Sequence, residues 1–127
     1  MTVRAWPKVS VLFITYNRIE LLRRTLRSFS DSTDYPNLEL VIADDCSPRR
    51  VREQICQLPA HKFVMARRNR GLGANMNAGL AACTGKYVLS LQDDWDCVGP
   101  PQYLRDCVEV LEKNPDIGLI RLYGLKH

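Results

Sequence analysis

The 127-residue sequence has only two histidines, His61 and His127, and no C-x-x-C pair among its five cysteines. Both shortages argue against a zinc site, whose ligands come as closely spaced cysteines and histidines. Cys46, Cys56, Cys83, Cys97 and Cys107 are scattered and odd in number, which reads as reduced thiols used partly as small apolar side chains. No apolar run approaches the ~18 residues that a membrane helix needs. The apolar stretch after Arg4 and Lys8 is brief and ends at Tyr16-Asn17. It reads as a strand and not as an export signal, so the cytoplasm is the expected compartment. Internal repeats, linkers and low-complexity tracts are also missing, and a single domain over residues 1–127 is the simplest partition.

What is present is ordinary globular material. Hydrophobic residues make up 46% and charged residues 25%, enough apolar surface for one core. The net charge of +4 hides an asymmetry. Between Cys46 and Gln92 lie Arg49, Arg50, Arg52, Lys62, Arg67, Arg68, Arg70 and Lys86, opposed only by Glu53. Asp93, Asp94 and Asp96 follow at once. A basic middle beside an acidic knot suits an anionic ligand plus a cation, and suits a solvated rim equally well. The arginines lack the interleaved aromatics of a base-stacking platform, so no nucleic-acid partner is expected.

Hydrophobic patterning gives alternating elements. Val9 to Ile14 is β-rich with little alternation, the mark of a strand covered on both faces. Asn17 and Glu20 resemble a capping box, after which Ile19, Leu22, Leu26 and Phe29 recur at helical spacing to a helix end near Ser30. Leu38 to Ala43 reads as a second strand, leading into Asp44-Asp45. Ser47-Pro48 resembles an N-cap followed by proline at the first helical position, opening a short helix through Val51, Ile55 and Leu58. A strand over Lys62 to Ala66, a helix over Leu72 to Ala82 and a strand over Lys86 to Leu91 follow. Pro100-Pro101 opens a last helix lined by Leu104, Cys107, Val108 and Leu111, and Ile117 to Leu122 reads as a fifth strand. Such alternation implies an α/β fold, a mainly parallel sheet with helices on both faces, whose ligands sit beyond the carboxyl ends of the strands.

Several motifs end on that edge. Crowded carboxylates at Asp93, Asp94 and Asp96 repel one another unless a cation neutralises them, and oxygen ligands suit magnesium or manganese bound to phosphate. The alternative is a solvated turn. Asp44-Asp45 either accepts hydrogen bonds from a ring N–H or sugar hydroxyl, or forms an Asx-type turn or helix cap. Arg70 precedes Gly71-Leu72-Gly73 at a helix start, where backbone N–H groups favour an anion. Asn75 and Asn77 tie that helix to the rim or are exposed and inert. Trp95 stacks on a sugar or lids the sheet edge.

In order, VSVLFITYNR, LELVIADDCS and NRGLGANMNAGLAACTGKYVLSLQDD, then a proline before an amphipathic helix, resemble the family-2 glycosyltransferases, from Val9 to about Leu122. That resemblance implies the GT-A type, Rossmann-like fold and transfer of a sugar from a nucleoside diphosphate, with UDP the expected nucleotide. It implies that Thr15 and Tyr16 touch the nucleotide, that Asp45 receives the base N–H, and that Arg70 lies near base or phosphates. Asn77, with Gly79, falls on an Asn-x-Gly element that supports the pocket. Asp93 would contact the ribose, and Asp94 would coordinate Mn2+ or Mg2+ bridging the diphosphate. Asp96 competes for the metal role, because Asp94-Trp95-Asp96 reads as D-x-D while the strand and proline favour Asp93-Asp94. Cys46 and Gln92 depart from the family pattern. An inverting member uses a carboxylate base to deprotonate the acceptor hydroxyl. None of Asp106, Glu109, Glu112 and Asp116 is well placed for that, so the catalytic base is expected beyond His127 and the chain is expected to be truncated and inactive alone. The acceptor, whether sugar, lipid or protein, is not specified. A non-catalytic interaction domain keeping the fold is the competing expectation.

Overall fold

A computed structural model describes residues 5–122. The elements run β1 (Val9–Thr15), α1 (Ile19–Ser32), β2 (Leu38–Asp44), α2 (Arg49–Ile55), β3 (Lys62–Met65), α3 (Leu72–Ala82), β4 (Tyr87–Gln92) and α4 (Tyr103–Lys113). The strands form one sheet in the order β3-β2-β1-β4, and every pair is parallel. The α/β reading is borne out.

All seven residues of β1 are buried, the reason its sequence lacks alternation. Its side chains still divide between two faces. Val9, Val11 and Phe13 join Leu22, Leu26 and Phe29 of α1, Ile55 of α2, and Leu104 and Val108 of α4. Phe13 and Phe29 meet edge-on with centroids 5.8 Å apart. Leu12 and Ile14 face the other way, with Val41, Ala43, Val64, Met76 and Ala82. Helix α3 therefore covers one face and the remaining helices the other.

Three local expectations fail. The run from Ile117 to Leu122 forms no strand: Ile117 N–H donates to the Asn114 carbonyl in the turn after α4, and Leu119 is 80% exposed. Apolar character alone made it look like a strand, but it finds no ladder. The Asn17–Glu20 capping box is not formed either. Asn17 takes a left-handed φ of 51°, and Glu20 pairs with Arg23 one turn on. Ser47 does not cap α2; Pro48 holds that position with no side-chain cap, while the Ser47 hydroxyl bonds to Asp44.

Candidate functional site

Strand order reverses at β1. The chain moves outward through β2 and β3, then returns to place β4 on the far side of β1. Loops on either side of such a switch point diverge and leave a crevice at the strands' carboxyl ends. A cleft of about 460 Å³ lies there, lined by Thr15, Tyr16, Arg18, Asp45, Asn69, Leu72, Asn75 and Asp93 among others. A neighbouring depression of about 440 Å³ shares Asp45 and Asn75 with it and adds Arg67, Arg68 and Arg70.

The two acids ending β2 divide the work. Asp44 is fully buried and accepts from Ser47 N–H at 2.9 Å and from the Ser47 hydroxyl. Ser47 Oγ in turn accepts from Asn17 N–H at 2.7 Å, so this acid shapes two rim turns at once. That is the Asx-turn alternative, realised at Asp44. Cys46 stands in the same turn with φ 62°, a left-handed conformation that explains why glycine or asparagine suits this position. Asp45 points along the rim. Its carboxylate accepts from Arg70 N–H at 2.8 Å and Gly71 N–H at 2.9 Å, and its carbonyl accepts from the Asn69 amide.

Asn75 is buried and donates to the carbonyls of Ala43 at 3.0 Å and Thr15 at 3.4 Å. It is the asparagine that ties α3 to the rim. Asn77, implied by the resemblance, is exposed on α3 and lines neither hollow. The reason is helical geometry: two positions along, a helix turns ~200° and the side chain leaves that face.

On the other flank, Thr15 Oγ1 donates to Asp93 Oδ2 at 2.9 Å, and Thr25 Oγ1 donates to the Asp93 carbonyl at 2.9 Å. Arg18 reaches Asp93 at 3.6 Å and Asp94 at 4.0 Å. Asp96 is held instead by two hydrogen bonds from Arg24. Burial pushes the Cys97 thiol upward, so the sulfur at the end of this acid loop stays protonated. Sequence reasoning singled out Thr15, Tyr16, Asp45 and Asp93, and all four meet at one cleft. Arg70 lines the adjoining depression. Sequence reasoning gave no role to Arg18, although it closes the VSVLFITYNR stretch, nor to Arg24 and Thr25 of the first helix, which carried no motif signal.

Among the described residues, no group of three or more His, Cys, Asp and Glu stands ready to hold a metal. Asp93 is committed to Thr15, and Asp96 to Arg24. The side chain of Asp94 is 48% exposed. One hard carboxylate oxygen fits a magnesium or manganese ion whose other ligands are phosphate and water, and does not fit an all-protein cage. Among the described residues, no helix is long and apolar enough to cross a membrane.

Comparison with known proteins bears on the family and the fold. Residues 10–124 match the family described as Glycosyl transferase family 2. An uncharacterized glycosyltransferase of Nostoc sp. is 35% identical over 117 residues, covering 89% of this chain and 35% of its own. S. aureus TarS 1-349 in complex with UDP superposes with a TM-score of 0.69 at 25% identity, covering 85% of this chain and 33% of that one. A mannosyltransferase from Pyrobaculum calidifontis, in complex with GDP-Man and Mn2+, superposes with a TM-score of 0.67 at 29% identity, covering 83% and 32%. The chain thus spans about a third of the length of these relatives. With its parallel sheet, its switch-point cleft and a family match over nearly all its length, this chain is a GT-A fold member of glycosyltransferase family 2.

Proposed function

We propose that the chain is the donor-binding part of a nucleotide-sugar transferase, taking a UDP-linked sugar together with Mn2+ or Mg2+. One observation carries the reading: Asp45 and Asp93, from the ends of different strands, line the same cleft. In this reading the base lies towards Asp45, whose carboxylate keeps acceptor capacity beyond its two backbone bonds. The ribose lies against Asp93, with Tyr16 at the cleft wall. Arg70, in the depression that shares Asp45 with the cleft, lies near the base or the phosphates. Asp94 would hold the metal, which neutralises charge on the departing diphosphate. Arg18, within 4.0 Å of Asp94, adds a second positive group on that side.

The sugar then passes to an acceptor hydroxyl, with inversion at the anomeric carbon. A carboxylate base takes the proton of this hydroxyl as the diphosphate leaves. Residues 1–127 act as one donor-binding unit. Its five free thiols suit the reducing cytoplasm.

Calorimetry with UDP and GDP, each with and without Mn2+, tests the proposal. UDP is expected to bind with Mn2+ and to lose roughly tenfold or more in affinity without it or in Asp94→Asn, as removal of a charge-neutralising contact implies. Absence of nucleotide binding in every arm would overturn the reading in favour of an interaction domain that kept only the fold.

A further inference from the structure

The loop that carries the acids is fastened to α1 at three places. At its start, Thr25 Oγ1 donates to the Asp93 carbonyl at 2.9 Å. At its end, Ser28 Oγ accepts from Cys97 N–H at 2.6 Å and donates back to the Cys97 carbonyl at 3.3 Å. Between them, Arg24 Nε and Nη2 reach the two oxygens of Asp96 at 3.1 Å and 2.6 Å. Arg24 and Thr25 each share a flank of α1 with Ser28, because residues three and four apart lie on the same side of a helix.

The middle attachment is the informative one. A paired guanidinium–carboxylate contact fixes both distance and plane, which a single contact does not. It occupies one lone-pair direction on each Asp96 oxygen and turns that carboxylate towards α1. With both loop ends tied as well, Asp94 and Trp95 lie between the ties at 48% side-chain and 43% residue exposure; the Asp96 side chain is 40% exposed too, and what sets it apart is that both its oxygens are turned to Arg24.

We infer that Asp96 is a positioning residue and not a metal ligand: Arg24 clasps it to α1 so that the loop presents Asp94 alone to the diphosphate-bound cation. The inference rests on the donor-binding reading for its cation, while the clasp itself is a contact within the chain. It also resolves the choice between Asp94 and Asp96 that the D-x-D spacing leaves open.

The experiment compares Asp96→Asn, Arg24→Gln and the charge swap Arg24→Asp with Asp96→Arg against the unaltered chain and Asp94→Asn. Two quantities are read: the gain in UDP affinity on adding Mn2+, and amide hydrogen exchange of residues 93–97 without ligand. Each single substitution at the clasp is expected to speed exchange and to reduce the Mn2+ gain roughly two- to fivefold, the scale of a partly exposed ion pair. UDP binding without metal should stay unchanged. The swap should recover both quantities, since it restores the pair with its ends reversed. If the swap loses the Mn2+ gain as fully as Asp94→Asn does, Asp96 is a ligand and the inference falls. Unchanged exchange in both single variants also overturns it. Should the unaltered chain show no Mn2+ gain at all, the donor reading fails, and the exchange arm still decides whether the clasp holds the loop.

Discussion

The Thr15 hydroxyl donates to the Asp93 carboxylate across the seam between β1 and β4, 2.9 Å apart in space and 78 positions apart in sequence. Both residues are buried, at 3% and 5% exposure. A buried carboxylate that loses a donor keeps its desolvation cost without the compensation. Arg18, at 3.6 Å, is too far to replace the bond. Thr15→Val is therefore expected to destabilise the fold by about 1–3 kcal/mol in urea unfolding and to weaken UDP binding. Thr15→Ser keeps the hydroxyl and should cost less on both counts.

Asp45 holds the entry to α3 by accepting from the amides of Arg70 and Gly71. Asparagine at this position would turn a donor group towards one of those amides, and alanine would leave both unmet. Either change loosens a segment that carries Arg67, Arg68 and Arg70, all exposed trypsin sites. Limited trypsinolysis within residues 67–70 is expected to quicken roughly tenfold in Asp45→Ala, the effect of about 1–3 kcal/mol on a local opening. If cleavage there is unchanged, the two backbone bonds do not order the segment.

Most of the fold was legible because strongly apolar strands and a 3.6-residue helical period leave clear marks. Helix Leu72–Ala82 falls where the pattern put it, and the ends of β3 and β4 shift by one residue. What escaped was the identity of each polar partner. Ser47-Pro48 reads as a cap, yet Ser47 is drawn to Asp44, a tertiary competitor for its hydroxyl. Asn17 lacks its expected cap because Ser47 takes its N–H and a left-handed turn redirects its side chain. The rim showed itself through strand ends and family motifs. Arg24 and Thr25 did not, because a polar residue on a helix looks the same whether it faces water or a loop from the far end of the chain.

At the opposite, amino end of the sheet, Glu39 is buried within a polar knot. Its carboxylate accepts from the Ser10 hydroxyl at 2.7 Å, from Thr84 N–H at 2.9 Å and from the Thr84 hydroxyl at 2.8 Å, with Lys62 Nζ at 3.1 Å. Burial works against its charge, but the donors from Thr84, Ser10 and Lys62 outweigh it and hold its pKa at about 2, below the ordinary 4.5. As pH falls, the unfolded chain therefore takes up this proton before the folded one does. The stability Glu39 contributes is intact above about 4.5 and is lost as pH descends to about 2. Glu39→Gln should cost about 1–3 kcal/mol at pH 7 and little at pH 2, flattening the acid limb of a stability–pH curve. An unaltered acid limb would show that the knot does not bind charge in preference to proton.

Two glycines pack against the sheet, and the same methyl group should affect them unequally. A Cβ on Gly79 would lie 2.5 Å from Leu12 Cδ1 and 3.1 Å from Ala43 Cβ. Leu12 is fully buried, but the closest atom is the end of a side chain that has other rotamers. Alanine also favours the helix by about 1 kcal/mol over glycine, which offsets part of the clash. A Cβ on Gly85 meets backbone instead: Ser10 N at 2.5 Å and the Lys8 carbonyl at 2.9 Å, with Ser10 Oγ at 2.8 Å. No rotamer relieves that contact, and moving Gly85 breaks its N–H bond to Ser10 Oγ, the hydroxyl that also serves Glu39. Gly79→Ala is expected to cost about 1 kcal/mol, and Gly85→Ala about 3 kcal/mol or more, in urea unfolding. Combining Gly85→Ala with Glu39→Gln should cost less than the sum of the two, because both act through Ser10. Full additivity would mean that the glycine and the acid stabilise the sheet independently.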